Sequence, residues 1–177
     1  MSRARPAGLR ALRLVVLDVD GVLTDGGLYY AESGDELKRF DVRDGQGLVL
    51  LREAGLLTAI VTRKQTTIVT RRARDLGIAE VQQNVSDKAA AITDLLARHR
   101  LAPATVCYVG DDVGDLPALR LVGFPVAVAV GDVRGAATYV TRAGGGRGAI
   151  REVCDLILAA RARQVGLSPR LYSRGCS

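Results

Sequence analysis

Short apolar runs alternate with helix-forming segments along most of the chain, and this alternation limits the possible folds more than any other feature of the sequence. Strands are predicted at 13–17, 57–61, 79–82, 105–109, 125–130 and 138–140, and helices at 45–54, 66–76, 87–99, 114–122, 133–137 and 148–162. Strands that are joined by helices build a parallel sheet with helices on both faces. The sequence therefore predicts an α/β fold of three layers with a Rossmann-like parallel sheet in the middle.

One segment departs from this alternation. Residues 27–31 and 36–41 read as two strands of a protruding β-hairpin, with Ser33-Gly34-Asp35 as the turn. The remaining connections are short, so we expect residues 1–177 to form a single domain. Its core is predicted at about 12–162, with a basic tail at each end.

The net charge of +6 comes from the two ends of the chain. Residues 1–13 and 161–177 each hold four arginines and no acidic residue, and the remainder holds 17 basic and 19 acidic residues. Nucleic-acid-binding surfaces combine a basic stripe with aromatic residues, whereas aromatics make up only 4% of this chain. No apolar run approaches the ~20 residues of a membrane span. We therefore expect neither a nucleic-acid partner nor a membrane partner.

Polar residues follow several predicted strands or begin the next helix, and such positions are where open parallel sheets bind ligands. These residues are Asp18 and Asp20 after the first strand, Thr62 after the second, Lys88 at a helix start, and Asp111 and Asp112 after a later strand. A lone acidic pair in such a place is often a turn or a helix cap. Four such coincidences in one chain favour a binding site instead.

The chemistry of these residue types indicates phosphoryl transfer. Two carboxylates as close as Asp18 and Asp20 repel each other unless a cation or a shared proton lies between them. Oxygen ligands of this kind suit Mg²⁺, and a magnesium ion with Lys88 and loop amides would form a phosphate cradle. An aspartate can serve as the nucleophile and form an aspartyl-phosphate. The only histidine, His99, lies late in a polar helix and is expected on the surface.

The motifs of the chain and their order resemble those of a known superfamily. The stretch Asp18–Gly26, then Thr62, then Lys88, and finally Gly110–Asp115 match the motifs of the haloacid dehalogenase (HAD) phosphatases in order. Three stretches make the chain similar more narrowly to the 3-deoxy-D-manno-octulosonate 8-phosphate (KDO-8-phosphate) phosphatase family. They are Asp20–Gly26, Phe40–Gly47 and Gly144–Glu152. The resemblance covers about residues 12–160.

The resemblance implies catalytic roles for five aspartates. Asp18 would be the nucleophile and Asp20 the general acid and base. The Asp18 carboxylate, the main-chain carbonyl of Asp20 and Asp111 would bind Mg²⁺, the implied cofactor. Asp112 would support this site, and Asp115 would orient Lys88 or the loop of Asp111. These roles are expectations that the resemblance implies.

The resemblance also implies substrate contacts. Thr62 and Lys88 would bind phosphate oxygens. Arg72 would lie either on a solvated helix face or near a carboxylate of the substrate in a neighbouring subunit. The implied substrate is the phosphomonoester of an eight- or nine-carbon acidic sugar, on a path to cell-surface glycans such as lipopolysaccharide.

The chain departs from the family pattern at two places. The family usually has Thr-Gly-Arg after the second strand, where this chain has Thr62-Arg63-Lys64. A glycine there lets the backbone approach the phosphate, so Arg63 either crowds the loop or adds a phosphate contact. Lys64 keeps the positive charge and lacks the bidentate fork of arginine. A branch that acts on KDN 9-phosphate tends to carry glutamate there, so Lys64 favours KDO 8-phosphate. Gly114 is the second departure, inside the later aspartate motif.

The chain is expected to be of the capless kind. Only about a dozen residues separate Gly26 from Phe40, which is room for a hairpin and not for a cap domain. In the resembled family such hairpins form the centre of a tetramer, and neighbouring subunits cover each site. We therefore expect a homotetramer with the hairpin at its interface. The interface candidates are Leu28, Tyr29, Tyr30, Leu37 and Phe40.

The resulting hypothesis is a cytoplasmic, Mg²⁺-dependent phosphatase that converts KDO 8-phosphate to KDO and phosphate through an aspartyl-phosphate. Three scattered cysteines without a disulfide framework fit that reducing compartment. One alternative is a phosphatase of KDN or sialic acid 9-phosphate. Another is a non-catalytic relative that acts as a partner subunit, as Arg63 suggests. A response-regulator-like module would also cluster Asp, Thr and Lys at strand ends, but in another order.

Overall fold

The computed structural model describes residues 6–162, with side chains from residue 8 onwards. The strands are β1 (Leu14–Leu17), β2 (Tyr29–Tyr30), β3 (Glu36–Leu37), β4 (Leu57–Val61), β5 (Glu80–Gln82), β6 (Val106–Gly110), β7 (Phe124–Ala127) and β8 (Tyr139–Val140). The helices are α1 (Pro6–Arg10), α2 (Val42–Glu53), α3 (Thr67–Leu76), α4 (Lys88–His99), α5 (Leu116–Leu121) and α6 (Ala149–Ala162). Six strands form a sheet in the order β5-β4-β1-β6-β7-β8 with every pairing parallel, as the sequence predicted.

The core lies in two layers, one on each face of the sheet. Successive residues of β1 point to opposite faces, so Val15 and Leu17 pack into one cluster whereas Leu14 and Val16 pack into the other. The first cluster takes its helical residues from α1, α2, α3 and α6, and the second from α4 and α5. The predicted three-layer fold is therefore confirmed.

Side-chain caps decide where three helices begin. The Asp41 carboxylate accepts a hydrogen bond from the Arg43 amide, so α2 begins at Val42, three residues before its predicted start. Thr66 caps α3 and Asp87 caps α4 in the same way, close to the predicted boundaries. The capping residues thereby fix the position of Lys88 in the first turn of α4.

Several further elements differ from the sequence prediction. Residues assigned to the N-terminal basic tail form α1, whose Leu9 is buried against the core. The helix predicted at 114–122 is a 3₁₀ turn, Val113–Asp115, followed by α5. The short helix predicted at 133–137 is also only a 3₁₀ turn, Arg134–Ala136. Strand β7 ends at Ala127, because the chain then turns: the Gly131 amide donates to the main-chain oxygen of Val128, and the Ala129 amide donates to the Thr141 hydroxyl. The C-terminal basic tail beyond residue 162 lies outside the described residues.

A small hairpin stands where a cap domain would be inserted between β1 and α2. Strands β2 and β3 pair antiparallel over two residues each, and an isolated bridge from Thr24 to Phe40 continues the pairing toward the sheet. These strands are shorter than predicted. The hairpin exposes large apolar side chains, at Leu28, Tyr29, Tyr30 and Leu37. Within residues 6–162 no helix has the length and apolar character needed to cross a membrane.

Candidate active site

The site is built where the central strands end. Strands β4, β1 and β6 are neighbours, and their register places Leu17 opposite both Ile60 and Val109. Asp18, Thr62 and Asp111 are the residues that directly follow β1, β4 and β6, so they meet at one edge of the sheet. They line a pocket of about 330 Å³. The other lining residues are Asp20, Gly21, Gly26, Arg63, Lys64, Lys88, Asp112, Gly114 and Asp115.

A buried ammonium group joins two carboxylates on the floor of the pocket. Lys88 Nζ lies 2.8 Å from Asp18 Oδ2 and 2.5 Å from Asp115 Oδ1. Lys88 is 5% exposed, Asp18 7% and Asp115 0%, so all three charges are held away from water. Charges buried in this way persist only when they are paired and hydrogen-bonded. Lys88 therefore fixes the Asp18 carboxylate at the end of β1.

Asp115 holds Lys88 and the loop of Asp111 at the same time. Its Oδ1 also accepts a hydrogen bond from the Tyr108 hydroxyl at 2.6 Å, and its Oδ2 accepts from the amides of Asp111 (2.9 Å) and Asp112 (3.2 Å). Four donors thus surround one carboxylate. Sequence reasoning missed Tyr108, which sits in an apolar strand and reads as a core residue.

Crowded carboxylates shift the pKa values of the site. Burial raises the pKa of Asp18 to about 6, with Lys88 opposing the rise and Asp115 adding to it. Burial, with the charges of Asp18 and Asp115, raises the pKa of Asp111 to about 7. Burial alone would lower the pKa of Lys88, but the two carboxylates raise it above its ordinary value. The site therefore carries excess negative charge that a cation would relieve.

The acidic side chains fit a divalent cation. One oxygen from each of Asp18, Asp111 and Asp115 lies within 4.8 Å of the others. Asp115 is saturated with hydrogen bonds, whereas Asp111 Oδ1 is buried and has no hydrogen-bond partner among the described side chains. A Cβ at Gly21 would overlap the Asp111 carboxylate, so only glycine allows this close approach. Asp18 and Asp111 thus offer the hard oxygen ligands that Mg²⁺ prefers.

The carboxylate of Asp20 is tethered to the hairpin. Lys38 Nζ donates to Asp20 Oδ1 at 2.6 Å and lies 3.1 Å from Glu36 Oε1. Only 1% of the Lys38 side chain is exposed. Sequence reasoning did not single out Lys38. The signal was its place two residues after Glu36, because residues two apart on a strand share a face.

Four further predicted site residues line the same pocket, one at its wall and three at its rim. Thr62 is buried at the pocket wall, and Arg63 and Lys64 are exposed at its rim. Asp112 is also at the rim, where its carboxylate accepts from the Val113 amide and caps the 3₁₀ turn. The structure brings all four into the pocket with Asp18.

Arg72 is the one predicted site residue that lies outside this pocket. Its guanidinium donates to the main-chain oxygen of Asp41 at 3.2 Å and stacks over the Phe40 ring at 5.4 Å. Arg72 therefore supports the start of α2 in its own chain, and its contact with a substrate in a neighbouring subunit stays a prediction. Phe40, a predicted interface residue, is half-buried and packs against the core.

The chain is similar in sequence and in structure to known proteins. No protein-family model matches the chain. The chain is 46% identical over 154 residues to the 3-deoxy-D-manno-octulosonate 8-phosphate phosphatase KdsC of Escherichia coli (strain K12), which covers 86% of this chain and 82% of that protein.

Two solved structures extend the likeness to three dimensions. One is the 3-deoxy-D-manno-octulosonate 8-phosphate phosphatase of Moraxella catarrhalis in complex with a magnesium ion, a phosphate ion and KDO. It is 38% identical with a TM-score of 0.87, covering 91% of this chain and 94% of that one. The other is the cobalt-bound form of the Haemophilus influenzae phosphatase, at 36% identity and a TM-score of 0.86, covering 93% and 98%.

The motif order, the three-layer fold and these relatives agree with one another. They set aside the response-regulator-like alternative, because the relatives are named as phosphatases. The chain belongs to the KDO-8-phosphate phosphatase family of the HAD superfamily.

Proposed function

We propose that this protein is a Mg²⁺-dependent phosphatase that hydrolyses KDO 8-phosphate to KDO and phosphate through an aspartyl-phosphate on Asp18. The observation that carries the proposal is the position of the Asp18 carboxylate, which lies 2.8 Å from the Lys88 ammonium group and has an oxygen within 4.8 Å of one from Asp111. The bound magnesium, phosphate and KDO in the Moraxella catarrhalis relative support the same reaction.

In the first step, Asp18 attacks phosphorus and the bond to the sugar oxygen breaks. Asp20 gives its proton to that oxygen as the sugar leaves. In the second step, Asp20 takes a proton from a water molecule that attacks the phosphorus, which frees Asp18 and phosphate. Lys38 would hold the Asp20 carboxyl group in place through the 2.6 Å contact described above.

The pocket also contains groups that would bind the negatively charged phosphoryl group. Lys88 and Thr62 would bind its oxygens. Mg²⁺, held by Asp18, Asp111 and the main-chain carbonyl of Asp20, would supply positive charge that offsets the repulsion between Asp18 and a phosphate dianion. Asp115 keeps the Lys88 ammonium group aimed at the site through its own contact.

The positive charge at the rim of the pocket supports an acidic sugar as the substrate. Lys64 adds a positive charge that suits a carboxylate or phosphate and is exposed to an incoming substrate. The nine-carbon KDN and sialic acid 9-phosphates share that chemistry, so they remain the second candidates. A partner subunit without activity is the third, and intact Asp18, Lys88 and Asp111 geometry supports activity instead.

We propose that four chains assemble and cover one another's sites. The exposed apolar side chains of the hairpin support this assembly, since Tyr30 is 70% exposed and Leu37 60% exposed in the single chain. Patches of this kind mark interaction surfaces. Light scattering should report a tetramer. A monomer that is fully active at low concentration would contradict the proposal.

The proposed compartment is the cytoplasm. Within the described range Cys107 and Cys154 are buried free thiols, and burial raises the pKa of both. Structural thiols that remain reduced are typical of cytoplasmic proteins. Recovery of the chain in a secreted fraction of its native cell would contradict this placement.

The activity is tested by phosphate release from KDO 8-phosphate, from a panel of eight- and nine-carbon sugar phosphates, and from a generic aryl phosphate. We expect release with Mg²⁺ and none after EDTA, with recovery when Mg²⁺ is restored. The highest kcat/KM in the panel identifies the substrate. Release that EDTA leaves unchanged would contradict the metal-dependent proposal, and the absence of release from every ester would favour the non-catalytic alternative.

The raised carboxyl pKa values predict that protons compete with Mg²⁺. Asp18 and Asp111, with pKa values of about 6 and about 7 without metal, must be ionised to bind a cation. Protonation on lowering the pH therefore weakens binding. Between pH 7.5 and pH 5.5 the apparent dissociation constant should rise by about 100-fold. Titration calorimetry across this range measures it, and an affinity independent of pH would contradict the assignment of these two ligands.

A further inference from the structure

The two departures from the family pattern, Arg63 and Gly114, lie against each other in space. Arg63 follows β4, and Gly114 lies in the 3₁₀ turn after β6. A Cβ built on Gly114 would lie 3.2 Å from Arg63 Cζ and 3.3 and 3.4 Å from its two terminal nitrogens. The guanidinium plane therefore covers the turn where a side chain at position 114 would stand.

Position 114 lacks a side chain because a side chain would collide with Arg63, and not because the backbone conformation requires glycine. Its φ is not in the left-handed region, so the backbone conformation does not by itself require glycine. Separations of 3.2–3.4 Å are tighter than ordinary contacts between a Cβ and its neighbours, so a larger side chain would displace the guanidinium group. Gly114 thus keeps a place for Arg63.

Arg63 has a free charge at the mouth of a pocket that needs positive charge. Five acidic and three basic residues line the pocket. Lys88, one of the three, already contacts two carboxylates. Arg63 is exposed, and no carboxylate of the described side chains lies within ion-pair distance of it. Its guanidinium fork is therefore available to an incoming oxyanion.

We propose that Arg63 is an oxyanion-binding residue at the pocket rim, and that Gly114 is a positioning residue that acts through Arg63. The proposal rests on the proposed function, because the oxyanion belongs to the phosphorylated acidic sugar. Arg63 thereby supplies a side-chain contact at the position where the family pattern has a bare backbone. The sequence left two alternatives open, that Arg63 crowds the loop or that Arg63 adds a phosphate contact. The proposal favours the added contact.

The test is a double-mutant cycle in the full chain with Mg²⁺, using R63G, G114L and the double variant. We measure kcat and KM for an aryl phosphate and for KDO 8-phosphate, and the dissociation constant of inorganic phosphate by calorimetry. R63G should raise KM by about tenfold with kcat within about twofold, because a charge-assisted contact to the ligand is lost. G114L should raise KM similarly, and the double variant should bind no more weakly than either single variant.

Two control variants test whether the effects in the cycle come from the contact between Arg63 and Gly114. K64A removes the other exposed cation of the rim, which supplies none of the three atoms nearest a Cβ at Gly114, so its effect should add to that of G114L. G114A tests the same contact with the smallest side chain in case G114L does not fold, which thermal melting reports. G114A should give a smaller rise in KM that disappears in the R63G background.

Each outcome decides the proposal. Equal KM values and phosphate affinities for R63G and the unmodified chain would overturn it, as would a G114L effect that persists in full in the R63G background. A change in phosphate affinity identifies the phosphoryl group as the oxyanion, whereas a change for the acidic sugar alone identifies its carboxylate. If no ester is hydrolysed, the proposed function fails, and the calorimetric cycle still decides whether Arg63 and Gly114 act together.

Discussion

Asp18→Asn should abolish phosphate release and leave the protein folded. The amide keeps the shape of the carboxylate but cannot attack phosphorus, so kcat should fall by more than ~10⁴-fold, as expected when a nucleophile is lost. Lys88 keeps its contact with Asp115 in this variant, so the floor of the pocket stays paired. Phosphate release in the steady state and in a single turnover measures the effect.

The same variant carries a stability prediction whose sign follows from the Asp18 pKa. Burial raises that pKa from 3.8 to about 6, so the fold favours the protonated carboxyl group and opposes its ionisation. At pH 7 without metal, the unmodified chain must keep the unfavourable ionised form. Asp18→Asn should therefore melt at the same temperature or higher at pH 7, and the difference should vanish as the pH falls below 4.

Asp94→Asn is the matched control, because Asp94 is exposed on α4. It should retain the activity and the melting temperature of the unmodified chain. Appreciable turnover by Asp18→Asn would contradict the nucleophile assignment. A large fall in its melting temperature would show instead that the ionised Asp18 stabilises the fold.

The sequence was sufficient to predict which residues meet at the pocket because of a general property of parallel sheets. Their strands all end at the same edge, so residues that follow neighbouring strands converge even when they are far apart in the chain. Asp18, Thr62 and Asp111 meet in this way. Two helix starts were predictable for a local reason, since Thr66 and Asp87 are caps that act over two or three residues, whereas the start of α2 at its cap Asp41 was missed by three residues.

The residues that were missed depend on tertiary contacts without a local pattern. Tyr108 looks like a core residue of β6, and its hydroxyl finds Asp115 only because the turn after the strand folds back over its end. Lys38 reaches Asp20 across the hairpin. The contact of Arg63 with Gly114 joins loops from two strands. No periodicity in the sequence carries such pairings.

The N-terminal helix α1 was missed for a different reason. The arginines of residues 1–13 suggested a solvated tail, and five helical residues are too few to show a periodic pattern. In the structure Leu9 and Leu12 are buried, and the Arg10 side chain donates to the main-chain oxygen of Ala160 in α6. Composition therefore hid two core residues beside Arg10 and Arg13, whose side chains are exposed.

Lys88→Met should reduce both stability and activity, because it removes the charge and keeps most of the side-chain volume. Asp18 and Asp115 would remain buried without their shared counterion. Removing one partner from a buried ion pair costs about 3–5 kcal/mol in the free energy of unfolding. The phosphoryl oxygens would also lose a fixed cation, so kcat/KM should fall by ~10²–10³-fold or more. Chemical denaturation and phosphate release measure the two effects.

The effect of losing the Lys88 charge can be distinguished from a simple loss of packing. The pH dependence of the stability deficit and a matched variant make this distinction. Lys88 lowers the pKa of Asp18, so its removal lets that pKa rise further, and the carboxyl group takes up a proton at a higher pH. The stability deficit of Lys88→Met should therefore shrink as the pH falls from 8 to 5, and adding Asp18→Asn should recover part of it. Lys64→Met, at the exposed rim of the same pocket, should change the free energy of unfolding by less than about 0.5 kcal/mol. An equal loss at both lysines, or a deficit independent of pH, would mean that the ammonium group of Lys88 does not hold the two carboxylates in place.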